Sequence, residues 1–312
     1  MQKFYSNGKL LITGEYVVLD GASSLALPTK FGQSLKIETI TESKIVWQSF
    51  DEKGNIWFED RFSFDEIASG FKNPRNDVSK RIIQILEAVK TLNPDFLNSK
   101  NGFKISTHLT FPRNWGLGTS STLINNIANW AYVDANKLLE KTFGGSGYDI
   151  ACAQNNFPIT YQLLNNVISR EARNDKKRII EKVNFNPSFK EHIYFVYLNK
   201  KQNSRDGIAN YKLNKGNIAS SISEINNITN KIIECSSLMD FDYLMNQHET
   251  IISKIIKQQT VKSLLFNDFN GSIKSLGAWG GDFILATSAE NPIAYFKEKG
   301  FDIVIPYDGM VL

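Results

Sequence analysis

The chain has 312 residues, 42% of them apolar and 12% aromatic, with a formal net charge of +4. That length exceeds one ordinary core, so two domains are the default, and both halves are apolar enough to build one. The charge is mild and scattered, and the densest basic run, Asp175-Lys176-Lys177-Arg178, reads as a short solvated loop. This argues against nucleic acid as a partner and suits a small anionic substrate. Cys152 and Cys235 lack metal-ligand spacing and do not make a disulfide framework, which fits a reduced, cytoplasmic setting. Met1-Gln2-Lys3-Phe4-Tyr5 has no signal-peptide core, and no run reaches the ~18 apolar residues of a membrane span, so no membrane partner is expected.

In chain order, Lys9 to Leu19 is largely apolar with Gly14-Glu15 in its middle, and a turn follows at Asp20-Gly21. Leu35, Ile37 and Thr39 alternate, as do Ile45 and Trp47, and Ile56 to Phe64 is rich in aromatics. The N-terminal part is therefore strand-heavy. Ile82, Ile85, Leu86 and Val89 share one face of a helix over Val78–Val89. Phe103, Ile105, Thr107, Leu109 and Phe111 alternate with polar residues and predict a half-buried strand, whereas Leu123, Ile127, Trp130 and Ala131 recur at helical spacing. Between them lies Gly116-Leu117-Gly118-Thr119-Ser120-Ser121, a tight turn from strand into helix.

Gly144-Gly145-Ser146-Gly147 makes a second flexible loop, and a short helix is expected at Asp149–Ala153. Ile159-Thr160-Tyr161 reads as a strand. Arg170 to Lys182 is charged and poor in apolar residues, the best linker in the chain, which divides it into 1–172 and 173–312. His192–Leu198 is an apolar strand, and two helices follow, one carrying Ile218, Ile222, Ile225 and Ile232, the other Leu244, His248, Ile251 and Ile255. Ser275–Asp282 is a third Gly-rich loop, and Phe283–Ala286 and Ile303–Ile305 read as strands. His108 and His248 occupy periodic positions and are read as structural. Strands and helices mix without strict alternation, which argues for two α+β domains rather than a doubly wound sheet.

Three Gly-rich turns beside apolar segments suggest several backbone approaches to one charged ligand. The central turn is the best candidate, because the first amides of a helix have no intrahelical partner and carry the positive end of the dipole. Lys9, Glu15, Ser120, Glu140, Asp149 and Asp282 stand near these turns in sequence. The P-loop pattern, the dinucleotide fingerprint, the protein-kinase set, His-Glu-x-x-His and Gly-x-Ser-x-Gly are all absent.

The residues that are present resemble the GHMP kinases, a family that includes galactokinase, homoserine kinase, mevalonate kinase and phosphomevalonate kinase. Ser6-Asn7-Gly8-Lys9 with Gly14-Glu15-Tyr16-Val17-Val18-Leu19-Asp20-Gly21 is similar to their first motif. Gly116–Ser121 is similar to their phosphate loop, Gly145-Ser146-Gly147-Tyr148-Asp149 to the segment carrying their base, and Gly277-Ala278-Trp279-Gly280-Gly281-Asp282 to their third motif. The four matches stand in family order over nearly the whole chain. Asn7 stands where the family usually has Pro, Thr119 where it has Ser, and Trp279 where it has Gly, so the pocket near Trp279 is expected to differ in shape.

The resemblance implies an α+β fold of two domains, a ribosomal-protein-like N-terminal one and a ferredoxin-like C-terminal one, with the ATP site in the cleft. It implies ATP and Mg²⁺ as cofactors and a small-molecule kinase of the mevalonate or phosphomevalonate branch, acting in isoprenoid precursor biosynthesis. Gly116, Leu117, Gly118, Thr119, Ser120 and Ser121 would wrap the phosphates, and Ser120 would hold Mg²⁺. Asp149 would take the proton of the substrate hydroxyl, with Lys9 beside it keeping it ionised and steadying the transferring group. Glu140 is either a second Mg²⁺ ligand or a solvated helix end, and Lys200–Arg205 either grips a substrate anion or is a capped helix start. The alternatives are a decarboxylase of the diphosphomevalonate type and a non-catalytic nucleotide or ligand sensor. A homodimer is the assembly considered.

Overall fold

A computed structural model of the chain describes residues 1–68, 76–164 and 177–312. These fall into two compact units: Met1–Gly8, Phe31–Arg113 and Leu117–Gln154 make the first, and Lys9–Lys30, Asn114–Gly116 and Asn155–Leu312 the second. The long strands β1 (Gln2–Leu11) and β2 (Ser24–Ile40) each run through both. The boundary expected at residue 172 lies outside the described residues.

In the first unit, the second half of β2 joins β3 (Lys44–Phe50), β4 (Ile56–Ser63) and β5 (Gly102–Leu109) in a mixed sheet of order β4-β3-β5-β2. β2 pairs with β5 antiparallel from Gln33↔Leu109 to Ile40↔Gly102, whereas β3 and β5 are parallel. Alternation explains the sheet: Leu35, Ile37, Ile45, Trp47 and Ile105 point into the core, and the residues between them, such as Lys36 and Val46, face away and are only half-buried. α1 (Phe64–Ala68) and α2 (Asp77–Leu92) follow β4, and α3 (Thr119–Ala131), α4 (Ala135–Thr142) and α5 (Tyr148–Gln154) follow β5. Ile82, Ile85, Leu86 and Val89 of α2 lie on one face and pack with Ile124, Ile127 and Trp130 of α3 and Leu138 of α4 in one cluster. Asn76 starts α2 by accepting the amides of Val78 at 3.0 Å and Ser79 at 2.9 Å.

In the second unit, the first half of β2 pairs antiparallel with β6 (Ile159–Leu164), which pairs with β7 (Lys177–Lys182). The linker expected over Arg170–Lys182 is corrected for its described part, which is this strand rather than a loop. β7 ends the sheet, so its Lys177, Glu181 and Lys182 stay in water while the backbone still pairs. A separate antiparallel sheet has the order β11-β8-β10-β9, with β8 (Ile193–Tyr197) and β10 (Phe283–Thr287) central and fully buried, flanked by β9 (Ile273–Ser275) and β11 (Val304–Pro306). The helices of this unit are α6 (Ser204–Asn214), α7 (Ala219–Glu234), α8 (Leu238–Ile256), α9 (Val261–Leu265), α10 (Ile293–Glu298) and α11 (Tyr307–Met310). Phe241, Leu244, Met245, His248, Ile252 and Ile255 form the buried stripe of α8 at helical spacing. Among the described residues no helix is long and apolar enough to cross a membrane.

Candidate functional site

The central turn is built around left-handed glycines. Gly118 caps α3 at φ 99°, a region a side chain disfavours. Gly118 offers no side chain to cap the first amides, and among the described residues no other side chain accepts them. The Ser121 hydroxyl instead turns back and donates to the Gly118 carbonyl at 2.9 Å. The first helical bond is from the Thr122 amide to that carbonyl, at 3.0 Å. The amides ahead of it have no partner within the helix and carry the positive end of its dipole. Ser120 is exposed at this end, and Thr119 is half-buried.

A buried polar network fixes the helix in the first unit. The Asn125 side-chain amide donates to Ser6 Oγ at 2.9 Å, and Ser6 Oγ donates to Asn126 Oδ1 at 2.8 Å. Asn126 Nδ2 donates to the Gln33 carbonyl at 2.9 Å, and Thr122 Oγ1 to Gln33 Oε1 at 2.9 Å. Gln154, at the end of α5, donates to Asn125 Oδ1 at 3.0 Å. The same network therefore holds α5, and Asp149 sits in the first turn of α5, half-buried, its Oδ1 accepting the Ile150 amide at 3.1 Å. Left-handed Gly144, Gly145 and Gly147 turn the chain into α5. Ser120 and Asp149 thus belong to two helices of one unit braced against each other. Glu140 lies on the exposed face of α4.

Lys9 belongs to the second unit. Its Nζ donates to the Gly116 carbonyl at 3.0 Å, which fastens the first motif to the first residue of the central turn. Gly116 has φ 69°, and a Cβ there would overlap the Asp282 carboxyl. Asp282 closes the third Gly-rich loop at φ 52° and is almost fully buried. Its amide donates to the Lys200 carbonyl at 2.7 Å, and its Oδ1 accepts the Gln202 amide at 3.2 Å. Burial pushes this carboxyl up, while Lys9, the Gln202 amide and Lys201 pull it back. Within one unit, then, Lys9, Gly116 and Asp282 come together. Lys200–Arg205 contains a capped helix start, with Asn203 accepting the Arg205 amide at 3.1 Å and both lysines exposed.

Glu15 is fully buried in an ion pair with Lys274, also fully buried. His248 is structural as expected, but its role is polar: Nε2 accepts the Gly14 amide at 2.8 Å. Lys274 and Asp282 were not among the expected catalytic or ligand-binding residues. Asp282 had a signal, a polar residue ending a glycine loop, whereas Lys274 had none.

No family model matches the sequence, and no curated protein matches it. Solved structures do. The Streptococcus pneumoniae phosphomevalonate kinase in complex with phosphomevalonate and AMPPNP is 16% identical, with a TM-score of 0.71 over 98% of this chain and 100% of that one. The Methanococcus jannaschii mevalonate kinase is 16% identical, with a TM-score of 0.69 over 97% of this chain and 96% of that one. The Lactococcus lactis galactokinase complexed with galactose is 13% identical, with a TM-score of 0.66 over 96% of this chain and 88% of that one. The chain has the GHMP kinase fold. The resemblance read from four short motifs is thereby matched along the whole chain, and the expected α+β class holds. At these identities the GHMP kinase fold is what is shared, and acceptors as unlike as galactose and phosphomevalonate occur on it.

Proposed function

We propose that the protein is an ATP- and Mg²⁺-dependent kinase of a small anionic molecule, with mevalonate or 5-phosphomevalonate as the acceptor. One observation carries this reading: α3 begins on Gly118 with no side-chain cap, in a turn whose first residue is tied to Lys9. At α2 the Asn76 side chain takes the amides of Val78 and Ser79, whereas the start of α3 has no such acceptor. Open amides with a dipole behind them suit a triphosphate.

In this reading Gly116 to Ser121 receive the nucleotide phosphates through backbone amides. The donor set fits a metal that arrives with the nucleotide. Among the described residues no group of three or more His, Cys, Asp or Glu side chains is arranged to hold a metal ion, and Mg²⁺ commonly takes one or two protein oxygens beside substrate phosphates. Ser120, with its exposed hydroxyl, would hold it, and Glu140 is the second candidate. Bound there, the metal neutralises charge on the phosphate oxygens. Asp149 accepts the proton of the attacking hydroxyl, and Lys9 steadies the transferring group. The likeness of Gly14–Gly21 and of Gly145–Asp149 to the mevalonate and phosphomevalonate branch supports the acceptor class.

The test is ADP release by the full chain with mevalonate, 5-phosphomevalonate, galactose and homoserine, with and without EDTA, and with CO₂ measured alongside. Metal-dependent ADP release with one of the two mevalonates and no CO₂ is expected. No ADP release with any acceptor would refute the kinase, and CO₂ release would reassign it as a decarboxylase.

A further inference from the structure

Four ionisable side chains are buried together in the second unit, behind the turn that follows β1. Glu15, Lys274, His248 and Glu249 are each at most 3% exposed. Lys274 pairs with Glu15 Oε1 and also donates to the Ser275 carbonyl at 2.8 Å. Glu249 Oε1 accepts both the amide and the hydroxyl of Ser275, at 3.0 and 2.8 Å. His248 Nε2 accepts the Gly14 amide and lies 3.4 Å from Glu15 Oε2. That bond places the imidazole proton on Nδ1, and burial holds the ring neutral.

These contacts hold one turn at three consecutive residues, from α8 at the first and from β9 and the loop after it at the next two. On one side is Gly14-Glu15-Tyr16, where Gly14 has φ 84° and Tyr16 has φ 63°. Gly14 is held by His248, Glu15 by Lys274, and Tyr16 Oη accepts the Trp279 amide at 3.3 Å. On the other side is the third Gly-rich loop, entered through Ser275. A left-handed Tyr persists only where its surroundings over-determine it. A fully buried lysine is costly unless paired and hydrogen-bonded, so stability alone is a poor reason to keep one.

We propose that Lys274 is a positioning residue: by pairing with Glu15 it pins the Gly14–Tyr16 turn to the third Gly-rich loop, and so sets the place of Lys9 and Asp282. Lys9 lies on the strand leading into that turn, and Asp282 ends that loop. The Lys9 charge also draws the Glu15 carboxyl down, the smallest of the influences on it. The activity arm of the test rests on the kinase reading, and the exchange arm does not.

Full-length wild type is compared with Lys274→Met and with the double variant Glu15→Gln/Lys274→Met. The double variant removes the pin without leaving the Glu15 carboxylate buried without its partner. Hydrogen exchange of the amides at 14–16 and 275–281 should be at least tenfold faster in the double variant, with the cores of both units unchanged. Wild-type exchange there would overturn the pin. In the ADP-release assay the double variant should lose at least tenfold in kcat, with KM for ATP within about twofold and melting restored above that of Lys274→Met. Wild-type kcat in the double variant would reduce Lys274 to charge balance and overturn the proposal. If Lys274→Met does not fold, the double variant alone carries both readouts. If wild type turns over no acceptor, the kinase reading falls while the exchange result still decides the pin.

Discussion

Glu249→Gln should flatten the dependence of stability on pH. The buried cluster holds two carboxyls, Glu15 and Glu249, against one ammonium, Lys274, with His248 neutral. Ionising both carboxyls leaves a net negative charge out of water, so one proton is retained. Burial pushes Glu249 from 4.5 up to about 7, with Glu15 adding to the push and Lys274 and Ser275 opposing it. The folded state therefore binds more protons than the unfolded one between those values. The stabilisation is complete below the unfolded pKa and lost as pH rises through the folded one. A shift of about 2.5 units at about 1.4 kcal/mol each gives roughly 3 kcal/mol lost across that window. Gln cannot ionise, yet keeps an oxygen for the Ser275 amide and hydroxyl. Urea unfolding at steps from about pH 5 to about pH 8.5 should show wild type losing about 2–3 kcal/mol more than the variant over that range. Parallel stability curves would refute the one-proton account of this cluster.

Asp149→Asn should bind an ATP analogue as wild type does, by calorimetry, and lose about 10²- to 10⁴-fold in turnover; near-wild-type rates would remove Asp149 from the chemistry. Gly116→Ala places a methyl on the Asp282 carboxyl at a φ of 69°. A stability loss of about 1–3 kcal/mol with weakened nucleotide binding is expected, and an unchanged melting curve would contradict the close approach. Asn126→Leu, similar in volume, leaves Ser6 Oγ and the Gln33 carbonyl without their partner. It should lower the unfolding free energy by about 2–3 kcal/mol in urea titrations, and a loss under about 0.5 kcal/mol would show that water replaces the amide.

Most strands and helices of this fold could be read from the sequence because their signals are local. Alternation at Phe103–Leu109 marked β5, and helical spacing at Ile82–Val89 and Leu244–Ile255 marked α2 and α8. The glycine turns were equally legible, since a left-handed backbone asks for a particular residue: Gly116, Gly118, Gly147 and Gly277 all have positive φ. β7 was misread because its Lys and Glu residues look like those of a linker. An edge strand needs only backbone pairing on one side and can leave such side chains in water.

Lys274 shows where this local reasoning stops. In Ile273-Lys274-Ser275 the alternation rule sends the lysine to the wet face of a strand, but β9 is buried on both faces. What makes a lysine tolerable there is Glu15, 259 residues away in the chain. Neither residue signals the other, because each is an ordinary surface type at its own position. Asp282 is the intermediate case, since Asp tolerates the left-handed region better than most side chains and ends a glycine run. The glycines therefore announce where the backbone bends toward a ligand. The charges that hold those bends in place become visible only when the fold brings distant segments together, so variants drawn from the motifs alone would test Lys9 and Asp149 and leave Lys274 untouched.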